Sequence, residues 1–506
     1  MNSPDWQALY EQVCNHARQT AVLASIEALL GWDERTMMPP QGAQYRAEQI
    51  RLLAGLLHSR RTDPQWGEQL ARLAESPLMA DPLSDQAVTI RRLKRQYDKD
   101  VRLPQRLVEE LAQTASLAQH VWQQARRNND FKAFLPWLEK TFQLKREQAE
   151  AVGYPECRYD ALLDDFEPET RTSQVAQVLI ELRDRLVPLI GRILGSRRKP
   201  DSSLLRRYYP RQAQEAFGRQ VAETIGFDFT AGRLDVTVHP FCSSIGPRDC
   251  RITTRYNEHR FQDAFFGILH EAGHGLYDQG LREDQYGLPL GEAVSLGIHE
   301  SQSRLWENVV GRSLAFWRYF FPKAQEFFPQ ALGDVSLEAF YFAINEVRPS
   351  LIRVEADEAT YNLHILIRFE LEQALLEGDL RAADAPGAWN EKYRQYLGIT
   401  PPDDTQGVLQ DIHWSAGLVG YFPTYALGNL YATQLFQQAQ AELGDLSEAF
   451  ERGEFRPLLD WLRTKIHQQG QRYLAPELIQ QVTGRPLSSQ PLLEHLEAKF
   501  LPLYES

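Results

Sequence analysis

The stretch from Phe265 to Gly280, FFGILHEAGHGLYDQG, is the most informative part of this sequence. Its centre, residues 270–274, has the spacing HExxH, which places two histidines four residues apart on one face of a helix. His270 and His274 can therefore reach one metal ion, and Glu271 projects beside them to hold a water molecule. The residues before Glu271 are apolar, so a carboxylate there would be costly unless it had a function. The segment predicts a buried helix that carries a metal site.

Most of the chain around this segment also has the pattern of helices. Apolar residues recur at steps of three and four, and Gly or Pro interrupts the pattern at the ends of each stretch. The predicted helices cover residues 4–30, 45–60, 85–99, 104–127, 131–151 and 173–195, and another begins near residue 260. The sequence therefore predicts a predominantly all-α fold.

Residues 228–255 break the helical pattern. Leu234, Val236 and Val238 alternate with polar neighbours, and β-branched residues follow at 252–254. A Gly-Pro pair at 246–247 is typical of a turn between these two runs. We expect a small antiparallel hairpin or sheet just before the HExxH helix.

Composition limits the function classes. The 506 residues include 55 Lys+Arg and 68 Asp+Glu, a net charge of −13. This acidic balance argues against nucleic acid or an anionic membrane as the main partner, because both favour clustered Lys and Arg. No apolar run approaches the ~20 residues that cross a bilayer, and the amino terminus does not resemble a secretory signal. The four cysteines are too few for a disulfide framework, so we expect reduced thiols and a cytoplasmic location.

A catalytic zinc site needs a third protein ligand and one open position. The next predicted helix, GEAVSLGIHESQSRLWENVV, offers four candidates: Glu292, His299, Glu300 and Glu307. Spacing does not choose among them, because a loop separates the two helices and the orientation of the second is unknown. Glu300 leads this group, and the other three stay open.

Several segments match motifs of a known family. Besides HExxH, they are HPF at 239–241, DxRxT at 249–253, HES(G/Q)SR at 299–304, IRxxAD at 352–357 and GxxQDxHW at 407–414. Together they resemble the carboxypeptidase Taq family of metallocarboxypeptidases, in the family's order and over essentially the whole chain. The resemblance implies a zinc carboxypeptidase that releases single C-terminal amino acids from peptides with broad specificity. It also implies one Zn²⁺ per chain, with Co²⁺ able to occupy the same ligands, and a homodimer.

The resemblance further implies roles for individual residues. It makes Glu300 the third zinc ligand beside His270 and His274, and Glu271 then serves as general base. The remaining implied site residues are His413 and Tyr425 for the tetrahedral oxyanion, Arg353 for the free α-carboxylate, and Arg251 and His239 for further substrate or cleft contacts.

Taken alone, most of these side chains have a simpler interpretation. His413 beside Trp414 has the pattern of a packed core histidine. Arg353 lies four residues before Asp357, which is the spacing of an ordinary ion pair on a helix. Arg251 would be a charge on an edge strand, and His239 a turn residue. His299 and Arg304, which flank Glu300, are expected to orient the ligands rather than bind the metal.

The domain organisation follows from where the motifs lie. They run from His239 to Tyr425 with no linker between them, so we predict a single domain over residues 1–506, a large helical body with a deep active-site cleft. The exposed loop at 196–203 is a candidate subdomain edge. Two alternative functions stay open, a helical zinc oligopeptidase that cleaves internal bonds and a catalytically silent peptide-binding protein. The carboxylate-binding arginine would distinguish the first, and Glu271 counts against the second.

Overall fold

The computed structural model describes residues 5–505. Within that range the first half of the chain forms nine helices, listed here with their bounds: α1 (Trp6–Thr36), α2 (Ala43–Arg61), α3 (Pro64–Ala74), α4 (Asp85–Asp100), α5 (Gln105–Asn128), α6 (Phe131–Val152), α7 (Arg158–Leu163), α8 (Thr172–Gly195) and α9 (Arg211–Ile225). The strands β1 (Gly232–Val236), β2 (Cys242–Gly246) and β3 (Asp249–Thr254) follow.

The second half is again helical. Its elements are α10 (Phe261–Asp278), α11 (Leu296–Arg304), α12 (Leu314–Phe327), α13 (Pro329–Leu332), α14 (Leu337–Ile344), α15 (Tyr361–Glu377), α16 (Ala385–Leu397), α17 (Pro423–Leu443), α18 (Ser447–Glu451), α19 (Arg456–Lys465), α20 (Ala475–Thr483) and α21 (Gln490–Glu505). A π-helical segment, Leu305–Val310, continues α11 without a break. The prediction of a predominantly helical fold is confirmed.

The largest error in the predicted helix ends concerns α1. The pattern places its end at Gly31, whereas the helix continues to Thr36. Trp32 is buried under the guanidinium of Arg251, whose Cζ lies 4.3 Å from the indole ring. Burying an indole contributes more than the ~1 kcal/mol that a helical glycine costs, so tertiary packing overrides the local signal.

The small sheet is mixed rather than wholly antiparallel. Its order is β1-β3-β2, and β2 pairs with β3 in the predicted antiparallel hairpin. β1, however, runs parallel to β3, with Gly232 opposite Cys250 and Val236 opposite Thr254. The predicted turn at 246–247 connects β2 to β3. β1 is not part of this hairpin and pairs with the other edge of β3.

Two apolar clusters organise the body. The main cluster extends from Ala118 to Tyr504 and includes side chains on both sides of the 196–203 loop, among them Ile193 and Leu204. A smaller cluster joins α1, α3 and α4 around Val13 and Leu70. A cavity of about 1250 Å³ is lined by α1 on one side and by α10, β2 and the start of α11 on the other.

Among residues 5–505, no helix combines the length and the apolar character that a bilayer crossing requires.

Candidate metal centre and active site

Two neighbouring helices carry the predicted metal ligands. α10 is buried along the residues that precede His270, and the Ser295 side chain caps α11 by accepting a hydrogen bond of 3.1 Å from the Ile298 amide. Gly273 allows the two helices to approach closely, since a Cβ at this position would lie 2.6 Å from the carbonyl oxygen of Gln302. The glycine inside the HExxH motif therefore sets the spacing between the two ligand helices.

The three predicted ligands, His270, His274 and Glu300, come together at this contact. Nε2 of His274 lies 3.5 Å from Oε2 of Glu300, and Nε2 of His270 lies 3.9 Å from the same oxygen. A tetrahedral ion with bonds of about 2.1 Å would separate its ligand atoms by about 3.4 Å. The three side chains also line the large cavity. They therefore fit one divalent ion whose fourth position is open to the cavity.

Hydrogen bonds orient both histidines for metal binding. Nδ1 of His270 lies 2.9 Å from Oε2 of Glu307, a carboxylate that can only accept. Nδ1 of His274 lies 2.6 Å from Nδ1 of His299, whose Nε2 is 2.9 Å from Oδ1 of Asp278. We assign the protons from this bonding: His299 donates to Asp278 and accepts from His274. Both ligand histidines then carry their proton on Nδ1, which leaves each Nε2 lone pair free for the ion.

The protonation states of His274 and Glu300 also suit metal ligands. Burial lowers the pKa of His274 to about 4, so its imidazole is neutral near pH 7. Burial alone would raise the pKa of Glu300, but Arg304 and His270 hold it well below its usual range. Arg304 donates from Nε to Oε1 of Glu300 at 2.7 Å, which leaves Oε2 to face the histidines. Both side chains are in the form that binds a cation.

Glu300 is also held from behind by α17. A Cβ at Gly428 would lie 2.5 Å from Cγ of Glu300 and 2.7 Å from its Cβ. Only glycine leaves room for the ligand side chain at this point. The position of Glu300 thus depends on a helix more than 120 residues further along the chain.

Glu271 has the properties of a general base. Its side chain is 6% exposed and lines the cavity with the metal ligands. Burial raises the pKa of Glu271 to about 7, and the carboxylates of Glu300 and Glu307 add to this effect. A base with a pKa near neutral pH takes up and returns a proton efficiently.

The other candidate ligands lie outside the metal group. Glu307 and His299 each hold Nδ1 of a ligand histidine, as described above. Glu292 precedes α11 and lines the cavity, and burial with nearby Asp278 raises its pKa to about 7. Among the described residues, the group at this place that could hold a metal ion consists of His270, His274 and Glu300.

Arg353 belongs to a buried charge cluster beside the cavity. The predicted helical pairing with Asp357 is wrong, because 353–355 form a 3₁₀ turn and α15 begins only at Tyr361. Instead Nε of Arg353 donates to Oδ1 of Asp411 at 2.9 Å, and Nη1 donates to the hydroxyl of Tyr361 at 2.9 Å. Nε of Arg368 donates to the second oxygen of Asp411 at 2.7 Å. Two guanidinium groups thus share one carboxylate, a net charge of +1.

His413 and Tyr425 lie between this cluster and the metal group. Nε2 of His413 is 3.3 Å from the hydroxyl of Tyr425, and Tyr425 lines the cavity. Cζ of Arg353 lies 5.0 Å from the centre of the Tyr425 ring. Burial and the charge of Arg353 lower the pKa of His413 to about 3, so it is neutral near pH 7. Its Nδ1 is buried and makes no hydrogen bond within residues 5–505.

The structure does not bring His239 or Arg251 to the metal group. His239 is exposed in the bend after β1, and Arg251 pairs with Asp249 through bonds of 2.7 and 2.8 Å while covering Trp32. Neither is among the residues of the described chain that line the cavity. Their motifs instead hold the sheet together, since Oγ1 of Thr253 accepts from the Phe241 amide at 2.8 Å and donates to its carbonyl at 2.9 Å.

Three further side chains of the site were not singled out from the sequence: Asp278, Tyr361 and Arg368. Asp278 continues the four-residue spacing of the two histidines along α10, and this pattern could have identified it. Tyr361 packs under Arg304, whose Cζ lies 4.3 Å from the ring centre, and so joins the metal group to the Arg353 cluster. Neither it nor Arg368 has a local sequence signal, because their partners are distant in the chain.

The chain is similar to known proteins over nearly its full length. The sequence profile of the family described as carboxypeptidase Taq (M32) metallopeptidase matches residues 12–500. The chain is 52% identical to thermostable carboxypeptidase 1 of Thermus thermophilus, over 98% of this chain and 99% of that protein. It is 40% identical to carboxypeptidase 1 of Bacillus subtilis, over 94% and 95% of the two chains.

Solved structures give the same result. The M32 carboxypeptidase of Deinococcus radiodurans superposes with a TM-score of 0.95 at 40% identity, covering 99% of this chain and all of that one. A Pyrococcus furiosus carboxypeptidase superposes with a TM-score of 0.93 at 35% identity, covering 97% and 99%. Sequence profile, relatives and fold agree over nearly the full length, and this chain therefore belongs to the carboxypeptidase Taq (M32) family of metallopeptidases.

Proposed function

We propose that this metallocarboxypeptidase holds one zinc ion through His270, His274 and Glu300 and releases single C-terminal residues from peptides of varied sequence. The observation that carries the proposal is the convergence of Nε2, Nε2 and Oε2 on one point, with each Nδ1 fixed as a donor. Two imidazoles and one carboxylate are a ligand set that zinc uses in hydrolases, and cobalt accepts the same set. When bound, zinc supplies a Lewis acid for the scissile carbonyl and makes water acidic enough to attack it.

Glu271 moves the proton. Its carboxylate takes a proton from the attacking water and later delivers it to the nitrogen of the departing amino acid. The place of Glu271 in the cavity wall beside the proposed ligands supports both steps, because the carboxylate can reach the water and the departing nitrogen there.

Tyr425 and His413 are the proposed donors to the tetrahedral oxyanion. Burial raises the pKa of Tyr425 well above its usual range, so its hydroxyl keeps the proton that it must donate. His413 is neutral, and its Nε2 contacts this hydroxyl at 3.3 Å, which positions the phenol. Donors fixed before the reaction stabilise developing charge without reorganising.

Arg353 is the proposed partner of the free α-carboxylate. Burial would lower the pKa of Arg353, but Asp411 and Tyr361 keep it well above the usual value, so the group stays charged. Together Arg353, Arg368 and Asp411 leave an unbalanced positive charge next to Tyr425, and an anion in the cavity would be attracted there. Like His239 and Arg251, Arg353 is not among the described residues that line the cavity. Arg353 does contact Tyr425, which lines it, and we assign His239 and Arg251 no substrate contact.

The main test compares Glu271→Gln with the wild-type enzyme. The variant should bind one zinc ion per chain, measured by elemental analysis, and lose turnover by several orders of magnitude. Glu292→Gln is the matched control, because it removes a second cavity carboxylate outside the ligand group and should keep both metal and turnover. Glu271→Gln turnover within a few-fold of wild type would contradict the assigned base.

A second experiment tests the direction of cleavage and the role of Arg353. Mass spectrometry of products over time should show a ladder that shortens from the C-terminus, and amidation of that end should abolish it. Arg353→Lys should lose most of the preference for the free carboxylate. Products from internal cleavage would favour the oligopeptidase alternative instead.

Assembly and location are further proposals. From the family resemblance we propose a homodimer, and from the composition of the chain a cytoplasmic location. Light scattering coupled to size-exclusion chromatography should give about twice the mass of one chain, and a mass equal to one chain would contradict the dimer.

A further inference from the structure

A second group of potential ligands lies in the wall of the same cavity. It consists of Cys242 on β2, Cys250 on β3 and Asp278 at the end of α10. The two Sγ atoms are 3.6 Å apart, and Sγ of Cys242 lies 3.8 Å from Oδ2 of Asp278. All three ligand atoms lie within 4.8 Å of one another.

These separations fit a tetrahedral ion with sulfur ligands. Zinc–sulfur bonds of about 2.3 Å and zinc–oxygen bonds of about 2.1 Å place two sulfurs about 3.8 Å apart and a sulfur and an oxygen about 3.6 Å apart. These two of the three separations agree to within about 0.2 Å. The third, between Sγ of Cys250 and the Asp278 carboxylate, is at most 4.8 Å, so Asp278 and Cys250 must approach each other by no more than about 1.2 Å to bind one thiophilic ion.

A disulfide fits the same pair less well. Cys242 is opposite Ile252 in the sheet, and Cys250 is opposite Ser244, so the two cysteines are diagonal neighbours. Diagonal positions on paired strands have Cα atoms about 7–8 Å apart, beyond the reach of a disulfide without backbone movement. An ion that bridges the sulfurs suits this geometry better.

The group is also connected to the catalytic centre. Oδ1 of Asp278 accepts from His299, which in turn accepts from the ligand His274. All three members of the group line the cavity that holds the metal ligands, so an ion can enter from it. An ion on Oδ2 would withdraw charge from the Asp278 carboxylate and weaken its hold on His299. The support of His274 would weaken with it.

We propose that Cys242, Cys250 and Asp278 form a second, inhibitory site for a thiophilic divalent cation such as Cd²⁺ or excess Zn²⁺. Binding forms two metal–sulfur bonds and one metal–oxygen bond, and the two thiol protons pass to solvent. The hydrogen bond between the thiols and their burial raise the pKa of Cys242 well above the usual value, so both protons are present near pH 7. Affinity should therefore increase with pH.

Direct binding of Cd²⁺ to the zinc-loaded full-length enzyme tests the site. Wild-type enzyme should bind one Cd²⁺ per chain beyond its catalytic ion, with an ultraviolet thiolate-to-cadmium charge-transfer band. Cys242→Ser and Cys250→Ser should lose the band and weaken this binding by more than about 100-fold, since changes outside the ligand shell alone cost about 10–100-fold. Cys157→Ser, which alters a thiol elsewhere, is the matched control and should behave as wild type.

Activity and zinc release provide the second readout. Cd²⁺ should inhibit the wild type and hasten release of the catalytic zinc to a chelator, while Cys242→Ser should keep its basal activity and resist both effects. Cys242→Ala serves as the second variant if the serine perturbs folding. Unchanged Cd²⁺ binding in the cysteine variants would overturn the site. Equal inhibition of wild type and variants would overturn its link to the catalytic centre.

Discussion

Replacing Gly428 with alanine should displace the proposed metal ligand Glu300. The new Cβ would lie 2.5 Å from Cγ of Glu300, 2.7 Å from its Cβ and 3.1 Å from its carbonyl carbon. Carbon atoms that are not bonded pack at about 3.5–4.0 Å, so α11 or the Glu300 side chain must move by about 1 Å. Metal–ligand distances tolerate only about 0.2 Å of error.

Two opposing terms determine the effect on folding. Alanine gains about 1 kcal/mol over glycine inside a helix, whereas overpacking a core costs about 1–3 kcal/mol. The free energy of unfolding should therefore fall by between about 0 and 2 kcal/mol. The dissociation constant for zinc should rise by about 10–100-fold or more. That range is seen when only the residues that orient the metal ligands are altered.

The assay is zinc competition against a chelator, with kcat/KM measured at saturating zinc and thermal unfolding measured in parallel. Gly191→Ala is the matched control, because Gly191 lies within α8 and a Cβ there meets nothing within 4 Å. It should raise stability slightly and leave zinc affinity unchanged. If Gly428→Ala kept wild-type zinc affinity and kcat/KM, the close approach of α17 would not control Glu300 and the reasoning would be wrong.

Three further predictions concern the surroundings of the metal site and a distant ion pair. Glu307→Gln should weaken zinc binding by about 10–100-fold in the same competition assay, because Nδ1 of His270 loses its charged acceptor at 2.9 Å. Gly273→Ala should lower the free energy of unfolding by about 1–3 kcal/mol and reduce zinc content, since its Cβ would meet the α11 backbone at 2.6 Å. Burial opposes ionisation of Glu358, but Lys499 outweighs it and lowers the pKa of Glu358 to about 2. The ionised carboxylate thus stabilises the fold above pH ~4.5, and this contribution of at most about 3 kcal/mol is lost as the pH falls towards 2. Burial lowers the pKa of Lys499, so the net contribution of the Glu358–Lys499 pair to the free energy of unfolding is smaller than that limit. Urea unfolding from pH 6 to pH 2 should be less pH-dependent in Glu358→Gln, and equal slopes would contradict the assignment.

Local periodicity identified the parts of this protein whose partners are close in sequence. The HExxH spacing identified His270 and His274, because four residues make one helical turn whatever surrounds the helix. The helices of the first half follow the same logic, and their ends differ mainly where burial decides, as at Trp32. The choice of Glu300 over its neighbours needed the family resemblance, since no local rule fixes how α11 faces α10.

The features that local patterns missed depend on contacts between distant segments. Arg353 pairs with Asp411, 58 residues away, rather than with Asp357 on its own segment. β1 joins the sheet in parallel, which no turn signal could indicate because the strands are not joined directly. His239 and Arg251 belong to family motifs, yet Arg251 pairs with Asp249 in the sheet and His239 is exposed in the bend after β1, and motif membership alone did not indicate these positions.

During synthesis on the ribosome, Glu300 is made well before Gly428, the residue of α17 against which it packs. Gly428 is translated 128 residues after Glu300, which takes between about 6 and 26 seconds. Throughout that interval the nascent chain already contains both histidines and the glutamate but lacks the helix against which the glutamate is packed. Because metal affinity depends on how the ligands are arranged, we expect stable loading only after α17 has formed. A chain that stalls before residue 428 would leave the proposed metal ligands without that support.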